Sequence, residues 1–425
     1  MTFGRILGAV FLVGLVACEY PRLLRDRPDG GSSGSGGSGA STCITSTDCA
    51  NSNGTPVCDP ALDGGTCVPC TTADNHACPG EVCKNDTCQP CAQHSDCASH
   101  ACLADGACAR ATDVAYVRPA GSGTVCTEAA PCSTINNALA TSKPVIKVEG
   151  TIVDSAVTTI DGKSVQIVAD TGARLTKTSA GLILTAKNDG ADVRIYDLEI
   201  TGSTGDNTIP AVATSGSGSP KLMLTRVKVD NNAGIGVEVV VGTLIVSRSI
   251  ISGNAGGGLM ITNSDFDVTN NFIIANGRFS GASATTFGGV LIANGINGSS
   301  GPRRFDFNTV AGNAADVNQV SGVECNTLST FSNNLIFDNE IGGGRASTGG
   351  TCSWSYSDID GALVPGTGNI NADPLFVAPG TDYHLTSASP AKNAADPAAT
   401  QSIDLDGDLR PQGGRSDIGA DEFKP

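Results

Sequence analysis

Ser249-Ile250-Ile251-Ser252-Gly253-Asn254 and Asn271-Phe272-Ile273-Ile274-Ala275-Asn276 are two copies of a pattern that this chain repeats. Further copies lie at 227–232, 308–313 and 335–339. The asparagines that close the copies are first 22 residues apart and then more widely spaced: Asn232, Asn254, Asn276, Asn313 and Asn339. A second β-rich run recurs in phase with the first, at 236–239, 258–261, 289–292 and 322–325. A period of about 22 residues, with Gly and Asn between short β-rich runs, predicts a solenoid.

The alternation inside each run predicts which side chains form the core. In Leu222-Met223-Leu224 the two leucines point inward and the methionine points outward. One coil cannot bury its inward residues alone, but coils stacked at about 4.8 Å can, through parallel backbone ladders. The sequence therefore predicts an all-β fold, a parallel β-helix of about eight coils and about 40 Å in length.

The recurring asparagines are predicted to stack as a structural ladder. Asn tolerates the left-handed region at a sharp turn, and its amide can bond to the Asn one coil away. The alternative is a row of ligand-binding amides.

Two further features fix the register of the coils. Cys325 and Cys352, about one long coil apart, would have Cα atoms about 5 Å apart on adjacent coils, within disulfide range. The Ser/Ala/Gly-rich insert 278–287 is predicted to leave one corner as a loop, where solenoids commonly bind partners.

The N-terminus has the features of an export signal. Residues 1–17 combine one basic residue with an apolar run too short to span a bilayer. Leu15-Val16-Ala17-Cys18 resembles a bacterial lipobox, which implies a lipoprotein signal peptide at 1–17 and lipidation of Cys18. Glu19 then implies outer-membrane sorting. The alternative is an ordinary signal with an incidental Cys. Residues 18–42 are rich in Gly and Ser and are predicted to form a flexible tether.

The cysteine count fits an exported, oxidised protein. Of 17 cysteines, Cys18 is assigned to the lipid, which leaves an even number. Residues 43–110 carry three units of four: Cys43, Cys49, Cys58 and Cys67; Cys70, Cys78, Cys83 and Cys88; Cys91, Cys97, Cys102 and Cys108. Such short units cannot hold a core, so two disulfides per unit are predicted, with the connectivity left open. The alternative is zinc, held by Cys-x-x-Cys pairs with His76, His94 and His100.

This Cys-rich module resembles the tandem units of myxobacterial lipoproteins and, loosely, the Dickkopf N-terminal region. The resemblance implies a spacer or interaction module.

After this module the sequence predicts a short amphipathic helix, from Ile135, Ala138 and Leu139, with Ser133 as its N-cap. This helix would cover the open end of the solenoid.

Three segments around that helix carry a more specific resemblance. They are Tyr116-Val117-Arg118-Pro119-Ala120-Gly121, then Pro131-Cys132-Ser133-Thr134-Ile135-Asn136-Asn137-Ala138-Leu139, then Val148-Glu149-Gly150-Thr151. Together they look like the start of bacterial right-handed parallel β-helix proteins of the pectin-lyase-like group. The resemblance implies a right-handed β-helix at 111–360 and a disulfide between Cys126 and Cys132.

The C-terminal stretch carries another resemblance. Asp404-Leu405-Asp406-Gly407-Asp408-Leu409-Arg410-Pro411 and Asp417-Ile418-Gly419-Ala420-Asp421-Glu422-Phe423 resemble the tail of β-helix proteins with a choice-of-anchor Q region. Residues 361–425 are therefore assigned to such a region, closing the helix. Asp404, Asp406 and Asp408 are interpreted as a polar turn. The alternative is a surface calcium site, although this stretch lacks the full ligand set of an EF-hand loop.

The sequence contains no clear match to the catalytic residues of the pectin-lyase-like group. After Cys108 the only histidine is His384, and the Asp/His clusters of the hydrolases and epimerases are absent. A calcium-dependent lyase needs only acidic ligands and a basic residue. The candidates are Asp265, Asp267, Asp306, Arg303 and Arg304, of which Asp267, Asp306 and Arg304 are the catalytic candidates. Asp267 and Arg304 are predicted to point outward on neighbouring coils, which a salt bridge explains equally well.

Composition narrows the function classes. The net charge of −16 argues against nucleic-acid binding, and 4% aromatic residues leave few stacking platforms for sugars. We expect an exported, lipid-anchored protein of the outer membrane or cell surface. Its β-helix would serve binding, structural or adhesive roles towards a polysaccharide or a surface protein, without catalysis. The alternatives are a polysaccharide lyase or related carbohydrate-active enzyme, and a β-helix stalk whose Cys-rich module binds the partner.

Overall fold

The computed structural model describes residues 43–425 except 51, 53, 63, 74–77, 280–284, 294–300, 342–343, 346 and 362. The predicted signal peptide, Cys18 and the tether lie outside the described residues, as does His76. Within the described ranges, no helix is both long enough and apolar enough to cross a membrane.

Three parallel sheets form the body of the protein, and we call them sheets 1, 2 and 3 in the order in which the chain visits them. Sheet 1 consists of Val114–Val117, Val145–Val148, Ser164–Ala169, Asp192–Tyr196, Lys221–Thr225, Thr243–Ser247, Asp265–Thr269 and Arg303–Asp306. Sheet 2 consists of Thr151–Asp154, Arg174–Lys177, Glu199–Thr201, Lys228–Asp230, Ile250–Ser252, Phe272–Ile274, Thr309–Ala311, Leu335–Phe337 and Asp358–Ile359. Sheet 3 consists of Thr158–Asp161, Leu184–Lys187, Val212–Ser215, Val237–Val239, Leu259–Thr262, Val290–Ala293, Val323–Cys325 and Thr348–Gly350. Between Val145 and Cys325 each turn of the chain adds one strand to each sheet, which confirms the predicted all-β parallel solenoid.

The remaining elements are short. A parallel pair, Thr330–Ser332 and Ser353–Ser355, belongs to the last coils. Small strands occur at Val57–Asp59, Thr66–Val68, Val82–Lys84, Thr87–Gln89, Ala314–Ala315, Glu340–Ile341, Gly344–Arg345, Phe376–Ala378 and Asp382–Leu385. The 3-10 helices are Ser46–Cys49, His94–Asp96 and Ala111–Asp113.

The core of the β-helix is a column of inward side chains. Leu222 pairs in register with Leu244, and Leu244 with Phe266, and all three are fully buried. Met223 points outward and is half-buried, which confirms the predicted alternation. Towards the last coils the column becomes aromatic, because Phe331 packs against Trp354 with ring centroids 5.7 Å apart. Trp354 is buried, so a large apolar ring fills the end of the core.

The predicted asparagine ladder runs along the corner between sheets 2 and 3. The Asn254 Nδ2 donates to the Asn276 Oδ1 at 2.9 Å, and the Asn276 Nδ2 donates to the Asn313 Oδ1 at 3.0 Å. Asn232 and Asn339 extend the ladder at its two ends. The expectation that these asparagines occupy the left-handed region is wrong. The residue before each one has positive φ instead: Asn231, Gly253, Ala275, Gly312 and Asp338.

A second ladder, which the sequence analysis missed, follows the corner between sheets 1 and 2. The Asn271 Nδ2 donates to the Asn308 Oδ1 at 2.9 Å, and the Asn308 Nδ2 donates to the Asn334 Oδ1 at 3.3 Å. Ser249 and Ser357 continue it through backbone contacts. Two corners therefore satisfy their buried backbone groups with side-chain amides.

The C-terminal tail covers the outer face of sheet 2. Phe272, Phe307 and Leu335 on the coils form one buried cluster with tail residues Phe376, Tyr383, Leu385, Ala391, Leu405 and Ile418. Before the tail folds back, Ile370 bridges to Asp358 and so continues the last coil. The tail therefore runs along the side of the β-helix as well as reaching its end.

A short helix, α1 (Ile135–Ala140), lies at the first coil. Its N-cap is Thr134, whose hydroxyl accepts from the Asn137 N–H at 3.1 Å, so the prediction of Ser133 was wrong by one residue. Ile135, Ala138 and Leu139 are its buried side. Cys126 and Cys132 form a disulfide beside it, and Cys325 and Cys352 form another between the last coils, with Cα atoms 5.7 Å apart.

The Cys-rich module has one disulfide pattern in all three units. In each unit the first cysteine pairs with the third and the second with the fourth: Cys43–Cys58, Cys49–Cys67, Cys70–Cys83, Cys78–Cys88, Cys91–Cys102 and Cys97–Cys108. The third unit packs on the outer face of sheet 1, where the Tyr116 hydroxyl donates to the Ser99 carbonyl at 2.7 Å. Since Ala101 and Ala109 share a buried cluster with Tyr116, the module and the β-helix are joined by an apolar contact.

Candidate functional site

The catalytic candidates Asp267 and Arg304 pair with each other. They occupy equivalent positions on adjacent strands of sheet 1, and both Arg304 nitrogens Nε and Nη2 donate to the Asp267 carboxylate, at 2.8 and 2.9 Å. The pair is partly exposed, with 45% of the Arg304 side chain accessible. A pair of this kind contributes little stability, about 0–1 kcal/mol, and the pairing occupies the guanidinium that a lyase would need as its base.

Asp306 lies two residues further and has a different environment. Its Oδ1 accepts from the Ser332 N–H at 2.8 Å, so it holds the next coil in place. Burial raises the pKa of Asp306. It lines a cavity of about 190 Å³ with Arg304 and with Asp396 of the tail. The structure thus brings Asp306 and Arg304 to one small cavity, whereas the Asp267 carboxylate is engaged by the arginine.

The acidic turn near the C-terminus directs its three carboxylates to three different partners. Asp404 is buried, and its Oδ1 accepts from the N–H groups of Gly407 and Asp408, both at 2.8 Å. Asp408 pairs with Lys424 at 2.7 Å, and Asp406 contacts His384 at 3.0 Å. The turn geometry agrees with the polar-turn interpretation, because the carboxylates do not converge on one point.

A cleft lies where the third Cys-rich unit meets sheet 1. It has a volume of about 540 Å³ and its walls include Gln93, His94, Leu103, Asp170, Asp197 and Arg226. The Arg226 Nε and Nη2 donate to the two Asp197 oxygens at 2.6 and 2.7 Å. The His94 Nδ1 accepts from the Cys102 N–H, and Nε2 lies 3.1 Å from the Ala169 carbonyl oxygen. This arrangement fixes His94 as a neutral donor at Nε2, and burial lowers its pKa.

This cleft is open to solvent and its walls carry several polar side chains. The side chains of Arg226 and Asp197 are 38% and 30% exposed, so both retain access to solvent. Clefts between two rigid parts are common places for ligand binding. Sequence reasoning missed it because its walls come from two parts of the chain with different periodicities.

A buried carboxyl in the last coil gives a pH-dependent prediction. Asp358 is fully buried, and its Oδ1 accepts from the Ala372 N–H at 3.1 Å. Its Oδ2 has no hydrogen-bond partner among the residues that the structure describes. Burial, reinforced by Asp360 and Asp373, raises the pKa of Asp358 to about 6. A carboxyl with a higher pKa in the folded state loses stability as the pH rises from the unfolded value of about 4 to about 6.

We therefore expect Asp358→Asn to increase the free energy of unfolding at pH 7 by about 1–3 kcal/mol and to change it little at pH 4. The amide oxygen can still accept from Ala372, while the buried charge is gone. Urea unfolding at several pH values measures the difference. Equal effects of the substitution at pH 4 and pH 7 would contradict the assignment.

The match to a family model agrees with the fold. A family model described as "Right handed beta helix region" matches residues 210–359. Among solved structures, a crystal structure of pectate lyase Pel9A aligns over 73% of this chain and 96% of its own, with 13% identity and a TM-score of 0.36. No curated protein matches the chain. The chain thus contains a right-handed parallel β-helix, as expected, and the family match covers its central coils.

Proposed function

We propose that this right-handed β-helix is a rigid scaffold for binding or adhesion, carried by an exported lipoprotein of the outer membrane or cell surface. The lipobox-like Leu15-Val16-Ala17-Cys18 and the Gly/Ser-rich stretch at 18–42 support lipidation of Cys18 and display at a distance from the membrane. Eight disulfides among the described residues are consistent with an oxidising compartment.

One observation carries the choice of scaffold over enzyme: the bidentate contact between Asp267 and Arg304. A lyase needs a basic group that is free to approach a substrate proton. Here the guanidinium is held flat against a carboxylate of the neighbouring coil, and Asp306 holds the Ser332 backbone. The three catalytic candidates are therefore engaged in joining coils.

The cleft at Arg226 and Asp197 is the binding site in this proposal. Its polar walls and solvent access suit a polar ligand such as a polysaccharide or a segment of a surface protein. In the same proposal, α1 caps the first coil, which its buried contacts with the first strands support. The tail, of the choice-of-anchor Q type by resemblance, acts as a clamp on the last coils.

The test is an activity and binding panel with the full chain. Acidic and neutral polysaccharides are incubated with calcium, and unsaturated-uronate absorbance and new reducing ends are followed. We expect no product from any polymer, and retention of the chain on at least one immobilised polymer or cell-surface fraction. Retention should fall with Arg226→Ala.

Arg174→Ala is the matched control for Asp267→Ala and Arg304→Ala. Arg174 also pairs between coils, with Glu199 at 2.8 Å, but it lies on sheet 2. Product that persists in Arg174→Ala and disappears in Asp267→Ala or Arg304→Ala would overturn the scaffold proposal in favour of a polysaccharide lyase.

A further inference from the structure

A group of side chains in the tail converges on His384. This histidine belongs to the strand Asp382–Leu385, and its ring stands edge-on to Phe272 of sheet 2, with centroids 5.1 Å apart. Nδ1 lies 2.5 Å from the Asp382 Oδ1, and Nε2 lies 3.0 Å from the Asp406 Oδ2. The histidine therefore connects the hairpin, the acidic turn and the face of the β-helix.

A third carboxylate completes the group. Asp421 is 6% exposed, and its Oδ2 accepts from the Leu385 N–H at 2.7 Å. Its other oxygen has no hydrogen-bond partner within the part of the chain that the structure describes. His384, Asp406 and Asp421 each offer one ligand atom, and the three atoms lie within 4.8 Å of one another. Asp421 therefore keeps one carboxylate oxygen available to bind a cation beside the imidazole.

The surrounding charges also favour a cation. Four carboxylates, those of Asp382, Asp404, Asp406 and Asp421, lie around His384 and Arg248. The buried guanidinium of Arg410 also interacts with two of them, Asp404 and Asp421, but pairs directly with Glu422. The Arg248 Nε donates to the Leu405 carbonyl at 3.2 Å. The Arg248 Nε is therefore directed at the acidic turn and not at the Asp421 carboxylate.

We infer that His384, Asp406 and Asp421 form a binding site for a divalent cation of the Zn²⁺ class. Imidazole nitrogen with carboxylate oxygens is a ligand set that zinc accepts, with bond lengths of about 2.0–2.2 Å, whereas calcium requires six or more oxygens. The site is distinct from the acidic-turn alternative, since Asp404 and Asp408 are held by other partners. Asp382 lies outside the ligand set, on the opposite nitrogen, and orients the ring.

The role of this cation is structural. It joins the strand Asp382–Leu385, the acidic turn and the buried Asp421 at one point, beside the His384 ring that packs edge-on against Phe272. The sixteen cysteines of the described residues are all in disulfides, so none of them offers a thiolate that would compete for zinc. Zinc binding should therefore fasten the tail to sheet 2 and be absent from the Cys-rich module.

The test uses the full chain, stripped with a chelator and dialysed into metal-free buffer. Calorimetric titration with Zn²⁺ and with Ca²⁺, and elemental analysis after dialysis, give affinity and stoichiometry. We expect one zinc per chain, weaker binding of calcium, and a higher unfolding midpoint in the presence of zinc. Asp406→Asn should weaken zinc binding by about tenfold or more.

Asp408→Asn is the matched control, because Asp408 is in the same turn and pairs with Lys424 instead. It should bind zinc like the wild type. Asp406 is half-exposed, so its substitution leaves the fold intact even where Asp421→Asn does not. The inference is wrong if the wild type takes up no stoichiometric zinc, if calcium binds more tightly, or if Asp406→Asn binds zinc with unchanged affinity.

Discussion

Asn276→Ala is expected to lower the free energy of unfolding by about 4 kcal/mol. The Asn276 Nδ2 donates to the Ile251 carbonyl and to the Asn313 Oδ1, at 2.9 and 3.0 Å. Its Oδ1 accepts from the backbone N–H and the Nδ2 of Asn254, at 3.1 and 2.9 Å. Alanine leaves groups on both neighbouring coils unpaired, and all of these asparagines are fully buried. Each buried unpaired group costs about 1–3 kcal/mol, partly offset by relaxation.

Chemical unfolding of the full chain with intact disulfides measures this loss. The matched control is Asn326→Ala, because Asn326 is an exposed corner residue whose amide donates to the Glu324 side chain at the surface. The control should stay within about 0.5 kcal/mol of the wild type. If the two variants unfold alike, the ladder does not stabilise the β-helix, and the alternative interpretation of these asparagines as ligand-binding amides is favoured.

The ladder could be predicted because its period is visible in the sequence, but the second ladder could not. In the second ladder the amide of Asn271 is followed by other asparagines, while Ser249 and Ser357 occupy its ends. A serine at these positions is indistinguishable from any turn serine. The left-handed residue was also misplaced, because steric strain is absorbed one position before the amide, where Gly253 and Gly312 occur.

The strands that the tail covers carry a pattern in the sequence that indicates burial of their outer face. Phe272-Ile273-Ile274 and Leu335-Ile336-Phe337 do not alternate: their outward residues are as apolar as the inward one. A strand that is apolar on both faces is buried on both faces. The identity of the covering segment could not be predicted, since it lies far away in the chain and has no periodicity of its own.

Only the part of the candidate site that depends on strand register could be predicted from the sequence. Asp267 and Arg304 were placed opposite each other from the repeat alone, and the structure agrees with that pairing. The cleft at Arg226 required knowledge of how His94 docks on the Ala169 carbonyl. Contacts of this kind depend on three-dimensional packing between segments, which local patterns do not encode.

Arg410→Met is expected to lower the free energy of unfolding of the tail by about 3–5 kcal/mol, because it breaks a buried ion pair. The Arg410 Nη1 lies 3.1 Å from the Glu422 Oε2, and both side chains are almost completely inaccessible. Arg410 also donates to the carbonyls of Asp417 and Gly419 and lies over the Phe307 ring. Methionine fills much of the volume but leaves the Glu422 carboxylate without its cation.

The consequence should be local undocking of the tail from sheet 2. Since Phe272 and Leu335 would then be exposed, we expect increased binding of a hydrophobic dye and faster proteolysis of the tail, while the coils remain folded. Burial already raises the pKa of Glu422, so lower pH should restore part of the lost stability by protonating it. The matched control is Arg415→Met, because Arg415 lies at the surface, where its Nε donates to the Asn393 carbonyl. If both arginine variants behave alike, the ion pair does not hold the tail, and apolar contact with Phe272 must be sufficient.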